Sequence, residues 1–387
     1  MIQITDKSQC CGCTACAGIC AHQAITMKPD ALGFLYPVVD VNKCTDCGLC
    51  EKVCSFHPDY DKSSNLLEPD VYAARHKKME EIERSRSGAM FVAVSDWVLA
   101  QGGVVYGAGY ADHFRVVHKR ATNKKERDEF RGSKYVQSDL NDVFLQISKD
   151  LKEGLLVLFT GTPCQTSGLR SFLNLKRVKT EKLYLVDIVC HGVPSPLVWR
   201  DYLDYVEKGG AENCCAVNFR DKSVLGWTAH KESFQFCHHK ATLGTYTHLF
   251  FEHIMFRRSC GECHFTNLRR PSDLTLADFW GWQKVDASFN ADDKGVSLVL
   301  INTPKGQELF NTIKHQMNYI QTDTIQCLQP NLQHPSEIHP MRDSFENDYQ
   351  KHGFVYVAKK YGDLGWRYKM RRFKQKCRTA IRLLLGK

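Results

Sequence analysis

One repeated cysteine spacing constrains this chain more than any other feature of its sequence. The run C-x2-C-x2-C-x3-C occurs at residues 10–20 and again, thirty-four residues later, at residues 44–54. Zinc modules use two ligand pairs per ion and do not require two runs of four thiols. Iron-sulfur ligation is the chemistry for which this spacing is typical. The chain contains 18 cysteines, and in a reducing compartment that number indicates metal ligation and not disulfides.

The repeat is the pattern of bacterial two-cluster ferredoxins, in which the fourth thiolate of each run crosses to the other cluster. The predicted ligands are Cys10, Cys13, Cys16 and Cys54 for one [4Fe-4S] cluster, and Cys44, Cys47, Cys50 and Cys20 for its partner. Short strands at residues 24–27 and 36–40, joined by a turn, complete an α+β ferredoxin-like module over residues 1–60. The extra thiol, Cys11, is expected to be a bystander.

A second domain is predicted after a polar linker at residues 61–70. There the apolar pattern changes to alternating strands and helices, with strands at 71–75, 104–110, 155–160 and 183–189 and a helix at 89–100. This alternation predicts an α/β domain with a mainly parallel or mixed sheet over residues 71–345. We divide this domain into an N-terminal part, 71–150, and a C-terminal part, 151–345.

Two predicted strands lead into cysteines. Thr162 can cap a helix and Pro163 suits its first position, so Cys164 falls in the first turn, where the helix dipole favours a thiolate. Cys190 follows the next strand, and parallel strands would bring both thiols to one carboxyl edge of the sheet.

The last cysteine pair in question is Cys260 with Cys263. A lone C-x2-C is a weak signal, and buried or surface cysteines unrelated to a metal remain the alternative for all four thiols. The neighbouring arginines, Arg257 and Arg258, would favour an anionic cluster but also suit a solvated surface.

Several motifs together resemble the family of the beta subunit of coenzyme F-420 hydrogenase/dehydrogenase, in the form with a fused N-terminal two-cluster ferredoxin. They cover most of residues 71–285. The matching segments are Ser85-Arg86-Ser87-Gly88, Gly102-Gly103-Val104-Val105-Tyr106-Gly107, Gly132-Ser133-Lys134-Tyr135-Val136-Gln137-Ser138, Gly161-Thr162-Pro163-Cys164-Gln165, Cys190-His191-Gly192-Val193-Pro194 and Ala277-Asp278-Phe279-Trp280-Gly281.

The resemblance implies a non-covalently bound FAD and a third [4Fe-4S] cluster in the body. The implied ligands of this third cluster are Cys164, Cys190, Cys260 and Cys263. The implied flavin contacts are Ser85, Ser87, Gly88, Gly132, Ser133, Lys134 and Tyr135. Ser87-Gly88 would open a helix whose free N–H groups receive a phosphate, and Lys134 would add charge to the same anion. Ordinary helix capping and a surface lysine are the alternative.

These features predict an iron-sulfur flavoprotein oxidoreductase. FAD can exchange electrons singly with clusters and in pairs with a small or lipid-linked substrate or a deazaflavin coenzyme. His191, beside a predicted ligand, is the candidate proton donor, although such a histidine can also be merely packed. Two alternatives stay open: an electron-transfer subunit of a larger redox complex without its own substrate site, and a disulfide reductase using Cys260 and Cys263. The expected partner is a redox protein, the deazaflavin coenzyme or another small-molecule electron donor.

The C-terminal tail, residues 346–387, is predicted to carry a basic amphipathic helix. Residues 365–387 contain nine basic residues and no acid, which equals the whole formal charge of +9. Apolar residues at spacings of three and four draw a stripe along this helix, which could bind an anionic membrane face. Alternatively the stripe packs on the body, or the basic face binds an acidic partner or nucleic acid, although we expect no specific nucleic-acid binding. Because residues 1–6 show no signal pattern and no apolar run could span a bilayer, we expect a cytoplasmic protein, peripheral at most at the inner membrane face.

Overall fold

The computed structural model describes residues 1–57, 68–366, 368–370 and 373–374. The strands are β1 Ile25–Pro29, β2 Leu35–Val39, β3 Asp70–His76, β4 Val104–Tyr110, β5 Val116–Ala121, β6 Val157–Gly161, β7 Leu183–Ile188, β8 Ala216–Asn218, β9 Glu232–Gln235, β10 Lys240–Leu243, β11 Leu274–Asp278, β12 Ser297–Ile301 and β13 Met317–Thr322. The helices are α1 Ala15–Ile19, α2 Leu49–Lys52, α3 Met79–Glu83, α4 Met90–Ala100, α5 Lys124–Asp128, α6 Val143–Lys152, α7 Pro163–Leu175, α8 Pro196–Gly210, α9 Lys222–Leu225, α10 Thr245–Phe251, α11 Gln283–Asp286, α12 Pro304–Ile313, α13 Thr324–Cys327 and α14 Arg342–Lys360.

The N-terminal module consists of α1, α2 and the hairpin of β1 and β2. The two strands pair antiparallel, with Ile25 opposite Val39 and Pro29 opposite Leu35. Both strands lie where the sequence predicts them, because alternating apolar residues flank a turn that Gly33 closes with a φ of +82°.

The body is built on an eight-stranded sheet in the order β13-β3-β12-β11-β7-β6-β4-β5. The four central strands, β11, β7, β6 and β4, run parallel. The outer pairings, of β5 with β4 on one side and of β12, β3 and β13 on the other, are antiparallel. The predicted α/β class with a mixed sheet is confirmed, but a mainly parallel sheet is wrong, since only three of the seven pairings are parallel. A separate antiparallel sheet contains β10, β9 and β8.

The module packs directly on the body through α1 and α7. Ala15, Cys16 and Ile19 of α1 share one apolar core with Leu169 and Phe172 of α7. The helices can approach closely because α7 has a glycine, Gly168, facing the module. A Cβ at this position would lie 2.8 Å from the Sγ of Cys13, which is closer than real side chains pack.

Two predicted boundaries can be compared only in part. Residues 61–67 of the predicted linker lie outside the described residues. The boundary predicted after residue 345 falls inside α14, whose Phe345, Tyr349 and Val357 are buried and which contacts α8, so the body extends to the end of this helix. Most of the predicted basic helix at 365–387 also lies outside the described residues. Among the helices that the structure describes, we find none long and apolar enough to cross a membrane.

Candidate functional site

The structure brings the first four predicted ligands together. Cys10, Cys13 and Cys16 follow a loop into α1, and Cys54 lies just beyond α2. Burial raises the pKa of Cys16 well above its ordinary value, and the charges of Cys13, Cys10 and Cys54 raise it further. Burial also raises the pKa of Cys54 to about 12, with Cys13 and Cys10 adding to it. Thiols that repel one another when ionised suit a metal cluster that neutralises them together.

The second group of predicted ligands lines a small cavity at the other end of the module. Its four cysteines, Cys20, Cys44, Cys47 and Cys50, all face this space. Backbone N–H groups donate to three of the sulfurs, at 3.3 Å for Cys20, 3.4 Å for Cys44 and 3.3 Å for Cys50. Such N–H···S bonds stabilise thiolates that carry charge in a cluster.

A third cavity is lined by the four cysteines that the family resemblance implied as ligands of a third cluster. Cys164 lies in the first turn of α7, after β6, and Cys190 follows β7. Cys260 and Cys263 reach the same cavity from a 3-10 helix and the loop behind it. The pKa of Cys190 is raised first by burial and then by Cys260, Cys164 and Cys263, so the four thiols act on one another. Because β6 and β7 are parallel neighbours, their carboxyl ends bring Cys164 and Cys190 to one edge of the sheet, as the sequence predicted.

Cys11 lies between the first and third groups. Its buried thiol shares hydrogen bonds with the thiols of both Cys13 and Cys164. The bond to Cys11 is the largest cause that lowers the pKa of Cys164, to about 7, and the hydroxyl of Thr162, 3.2 Å from its sulfur, contributes as well. A residue expected to be a bystander therefore connects two of the cysteine groups.

One arginine holds the loop that follows Cys263. Arg270, fully buried, donates to the carbonyl of Phe265 in that loop and to the carbonyl of Ile188 on β7, the latter at 2.9 Å. It also forms an ion pair with the buried carboxylate of Asp187 at 3.1 Å. Burial raises the pKa of Asp187, and Arg270 acts in the opposite direction. This pair fixes the third cysteine cavity to the sheet.

A larger cavity, of about 600 Å³, opens beside the third cysteine cavity. Ligand pockets in proteins range over roughly 300–1,000 Å³. Of the seven predicted flavin contacts, six line this cavity: Ser85, Ser87, Gly132, Ser133, Lys134 and Tyr135. The hydroxyl of Ser85 is buried and has no hydrogen-bond partner among the described residues, which suits a polar group of a ligand.

Gly88 is the exception among the predicted flavin contacts. It packs between two strands of the sheet, where a Cβ would lie 2.1 Å from the carbonyl oxygen of Ala74 and 2.7 Å from the nitrogen of Ser297. The helix that Ser87-Gly88 was expected to open begins later, at Met90, with Ala89 as its N-cap. Gly88 is thus required by strand packing, and the expectation that Ser87-Gly88 opens the helix is wrong, although the helix predicted at 89–100 begins within one residue of its predicted start.

Cations are concentrated on the walls of the large cavity. Burial lowers the pKa of Lys134 to about 7, and its ammonium donates to the carbonyls of Arg131 and Gly132 at 3.1 and 3.4 Å. On another wall Arg86 and Arg220 share one carboxylate, that of Asp278. The Nε atoms of both arginines are buried without a hydrogen-bond partner among the described residues. These walls favour a ligand that carries negative charge.

One backbone segment forms the wall between the two cavities. Residues 190–193, from Cys190 to the following turn, line both of them. Gly192 has a φ of +134°, and a Cβ there would lie 2.4 Å from the ring of Phe256. Only glycine fits this position, so at Gly192 the two cavities are separated by the backbone alone.

His191 lies in this wall and is neutral. Burial, followed by the charges of His253 and His230, lowers its pKa to about 4. Its Nε2 lies 2.7 Å from Nε2 of His253, whose Nδ1 lies 2.8 Å from the carbonyl of Glu337. Since a carbonyl only accepts, His253 carries a proton on Nδ1; when His253 is neutral, its Nε2 accepts from the Nε2–H of His191. A neutral His191 is left with an unprotonated Nδ1, so it is poorly suited to donate a proton.

Two other histidines on the walls of the large cavity were not found from the sequence. Burial lowers the pKa of His118 to about 4, and the ring lies between the hydroxyl of Ser138 at 2.9 Å and the carbonyl of Thr160 at 3.0 Å. The pKa of His230 is also lowered to about 4, by burial and by Arg220 and Arg86. Each histidine stands alone in its sequence segment, so only the tertiary structure brings them to the site.

Comparison with known proteins bears on two parts of the chain. Residues 9–57 match the family model described as a 4Fe-4S dicluster domain. Residues 155–326 match the model that describes the C terminus of the coenzyme F420 hydrogenase/dehydrogenase beta subunit. The resemblance inferred from the motifs is confirmed, and the N-terminal module is an iron-sulfur module.

Similarity to individual proteins is weaker. A solved structure titled "Xenon derivatization of the F420-reducing [NiFe] hydrogenase complex from Methanosarcina barkeri" matches with 18% identity and a TM-score of 0.46. The match covers 76% of this chain and 92% of that chain. No curated protein matches the sequence.

Proposed function

We propose, from the premise that residues 155–326 match the beta-subunit family of coenzyme F420 hydrogenase/dehydrogenase, that this protein is an iron-sulfur flavoprotein oxidoreductase. In this proposal Cys164, Cys190, Cys260 and Cys263 hold a third [4Fe-4S] cluster, and FAD occupies the large cavity. The protein then passes electrons between the clusters and FAD to reduce or oxidise a small or lipid-linked substrate or a deazaflavin coenzyme. The observation that carries the proposal is the wall at residues 190–193, which borders both cavities.

The first and third cysteine groups and the large cavity follow one another through contacts of this chain. Cys11 bridges Cys13 of the first group and Cys164 of the third. Cys190 then joins the third group to the wall of the large cavity. This arrangement supports a route for electrons from the ferredoxin module into the body.

The donor set of the third cavity fits a cluster better than a redox disulfide. Burial raises the pKa of Cys260 to about 12 and that of Cys263 to about 11. A disulfide reductase needs a thiol whose pKa is lowered, since the thiolate is the nucleophile. Four converging thiols with a backbone N–H of Val193 donating to Cys260 at 3.3 Å are typical of a cluster site.

FAD, when bound, exchanges single electrons with clusters and electron pairs with organic substrates. The residues of this chain would bind and orient it. Ser133 and Lys134 supply a hydroxyl and an ammonium for a phosphate, and Ser85 supplies a buried hydroxyl with no other described partner. His191, with Nε2–H held by His253, offers Nδ1 as an acceptor and so orients a donor group instead of protonating the substrate.

Iron content tests the third cluster. Protein purified without oxygen should carry about twelve irons, three clusters of four, and Cys190→Ser should remove about four of them. Cys237→Ser is the matched control, because Cys237 is exposed and lies outside the three cysteine groups, and it should remove none. If Cys190→Ser leaves the iron content unchanged, the third cluster is excluded.

Flavin binding tests the second half of the proposal and separates it from a subunit without a substrate site. The protein should bind added FAD, and the bound flavin should be reduced through the clusters by an external one-electron donor. Failure to bind FAD, or bound FAD that the reduced clusters cannot reduce, would leave an electron carrier without flavin chemistry.

A further inference from the structure

Among the described residues, the guanidinium of Arg257 is buried without a carboxylate as its ion-pair partner. The side chain of Arg257 is fully buried. Its Nε donates to the carbonyl of Cys10 at 2.7 Å, and its two Nη groups donate to the side-chain oxygen of Gln137 and the carbonyl of Leu35, both at 2.9 Å. The plane lies 4.1 Å from the ring centroid of Tyr36. Among the described residues, no acidic group lies within ion-pair distance of this guanidinium.

The other fully buried or nearly buried arginines behave differently. Arg127 pairs with Asp96 at 2.7 Å, Arg270 pairs with Asp187 at 3.1 Å, and Arg342 pairs with a glutamate of its own helix. Removing an ion from water costs several kcal/mol unless an opposite charge compensates it. Arg258, the neighbour of Arg257, satisfies this rule with Asp343 at 2.6 Å. Arg257 therefore requires an anion from another source.

The nearest predicted ligand sulfur is that of Cys10, although Arg257 also lines the third cysteine cavity, where its charge acts to lower the pKa of Cys164 and Cys260. One Nη of Arg257 lies 3.5 Å from the Sγ of Cys10. Cys10 belongs to the group that Cys13, Cys16 and Cys54 complete, so a cluster held there would supply the missing negative charge. One-electron reduction adds a further negative charge to this cluster and breaks no bond, and a nearby cation stabilises the more negative state.

Among the described residues, no lysine or arginine lines the cavity of the second cysteine group. The N-terminal ammonium of Met1 lines its cavity but pairs with Asp46 at 2.6 Å and with Glu51 at 3.5 Å. These carboxylates cancel its charge. The two halves of the repeat are thus alike in sequence and different in electrostatics.

We propose that Arg257 is the counter-charge of the cluster on Cys10, Cys13, Cys16 and Cys54 and makes that cluster easier to reduce than its partner in the module. Electrons entering the module then rest on the cluster that adjoins Cys11 and the body. Arg257 changes the reduction potential of this cluster without ligating its iron. The inference needs neither the third cluster nor the flavin.

The test is an anaerobic potentiometric titration with dithionite, followed by electron paramagnetic resonance, on the full chain. All samples carry Cys190→Ser, so that any third-site signal is removed and two one-electron waves belong to the module. Arg257→Gln should change the potential of the higher-potential wave only. The equilibrium constant for one-electron reduction of that cluster should fall by at least about tenfold, which corresponds to a potential lower by about 59 mV. Arg127→Gln, the control for loss of a buried arginine, should move neither wave.

A second variant keeps the guanidinium in place. Gln137→Glu puts a carboxylate where Arg257 already donates, and so cancels the positive charge without removing the side chain. It should lower the potential of the same wave by a smaller amount. If Arg257→Gln does not retain its iron, this second variant tests the proposal instead. A change below about twofold in both variants, or movement of the lower wave instead of the higher, would overturn the proposal.

Discussion

Replacing Arg270 by methionine should both destabilise the protein and open the third cysteine cavity. The substitution leaves the carboxylate of Asp187 buried without its ion-pair partner, which lies at 3.1 Å. Breaking a buried pair by removing one partner costs about 3–5 kcal/mol. With an unfolding entropy of about 2.1 cal/mol/K per residue, the 387 residues give roughly 0.8 kcal/mol/K. The thermal midpoint should therefore fall by about 4–6 °C.

The same arginine also holds the loop behind Cys263, so Arg270→Met should lower the iron content by about four atoms per chain. The double variant Asp187→Leu with Arg270→Met separates the two effects, because replacing both partners by apolar groups is often neutral. It should recover most of the thermal midpoint without recovering the iron.

The pH dependence follows from the raised pKa of Asp187. A carboxyl whose pKa is raised on folding stabilises the protein least when it is ionised, so the deficit of Arg270→Met should shrink as the pH is lowered. Scanning calorimetry under nitrogen measures the midpoints, and a fall of less than about 1 °C would refute the reasoning.

Three further outcomes are expected. Cys11→Ser should leave the iron content unchanged, since Cys11 bridges two groups without belonging to either, and a loss of about four irons would make it a ligand. The affinity of the flavin-free protein for FAD should fall as the pH rises through about 7, because Lys134 loses its charge there. Lys134→Arg should remove this pH dependence, since arginine stays charged. An unchanged pH profile in Lys134→Arg would show that another group titrates. Gly168→Ala should separate α1 from α7, because the added methyl group meets the sulfur of Cys13 at 2.8 Å, and limited proteolysis should then release the module faster than from the parent protein.

The ferredoxin repeat and four strands of the body, β3, β4, β6 and β7, could be predicted because their signals are local. The cysteine spacing needs no tertiary information, and Thr162-Pro163 carries its own helix start, which the structure shows as a complete capping box with Gln165. The convergence of Cys164 and Cys190 followed from parallel neighbouring strands. Local chemistry and one topological rule were sufficient for these elements.

Long-range contacts could not be predicted. The antiparallel strands β12, β3 and β13 join the sheet across more than two hundred residues, and no local pattern states their direction. Gly88 was expected to contact a phosphate because Ser87-Gly88 was expected to open a helix, whereas the real constraint is a carbonyl oxygen from another strand. Arg257 and Cys11 owe their roles to contacts with residues more than one hundred positions away.

The tight contact of α1 with Gly168 has a consequence for how this chain can change in evolution or in engineering. A ferredoxin joined by a loose linker could be exchanged for another of different potential as an independent part. Here Ala15, Cys16 and Ile19 share a core with α7. The same helix carries Cys164, and its Gly168 packs against Cys13. A foreign module would have to bring a matching face, so modularity at the level of the sequence does not extend to the folded protein, and the two parts are expected to vary together.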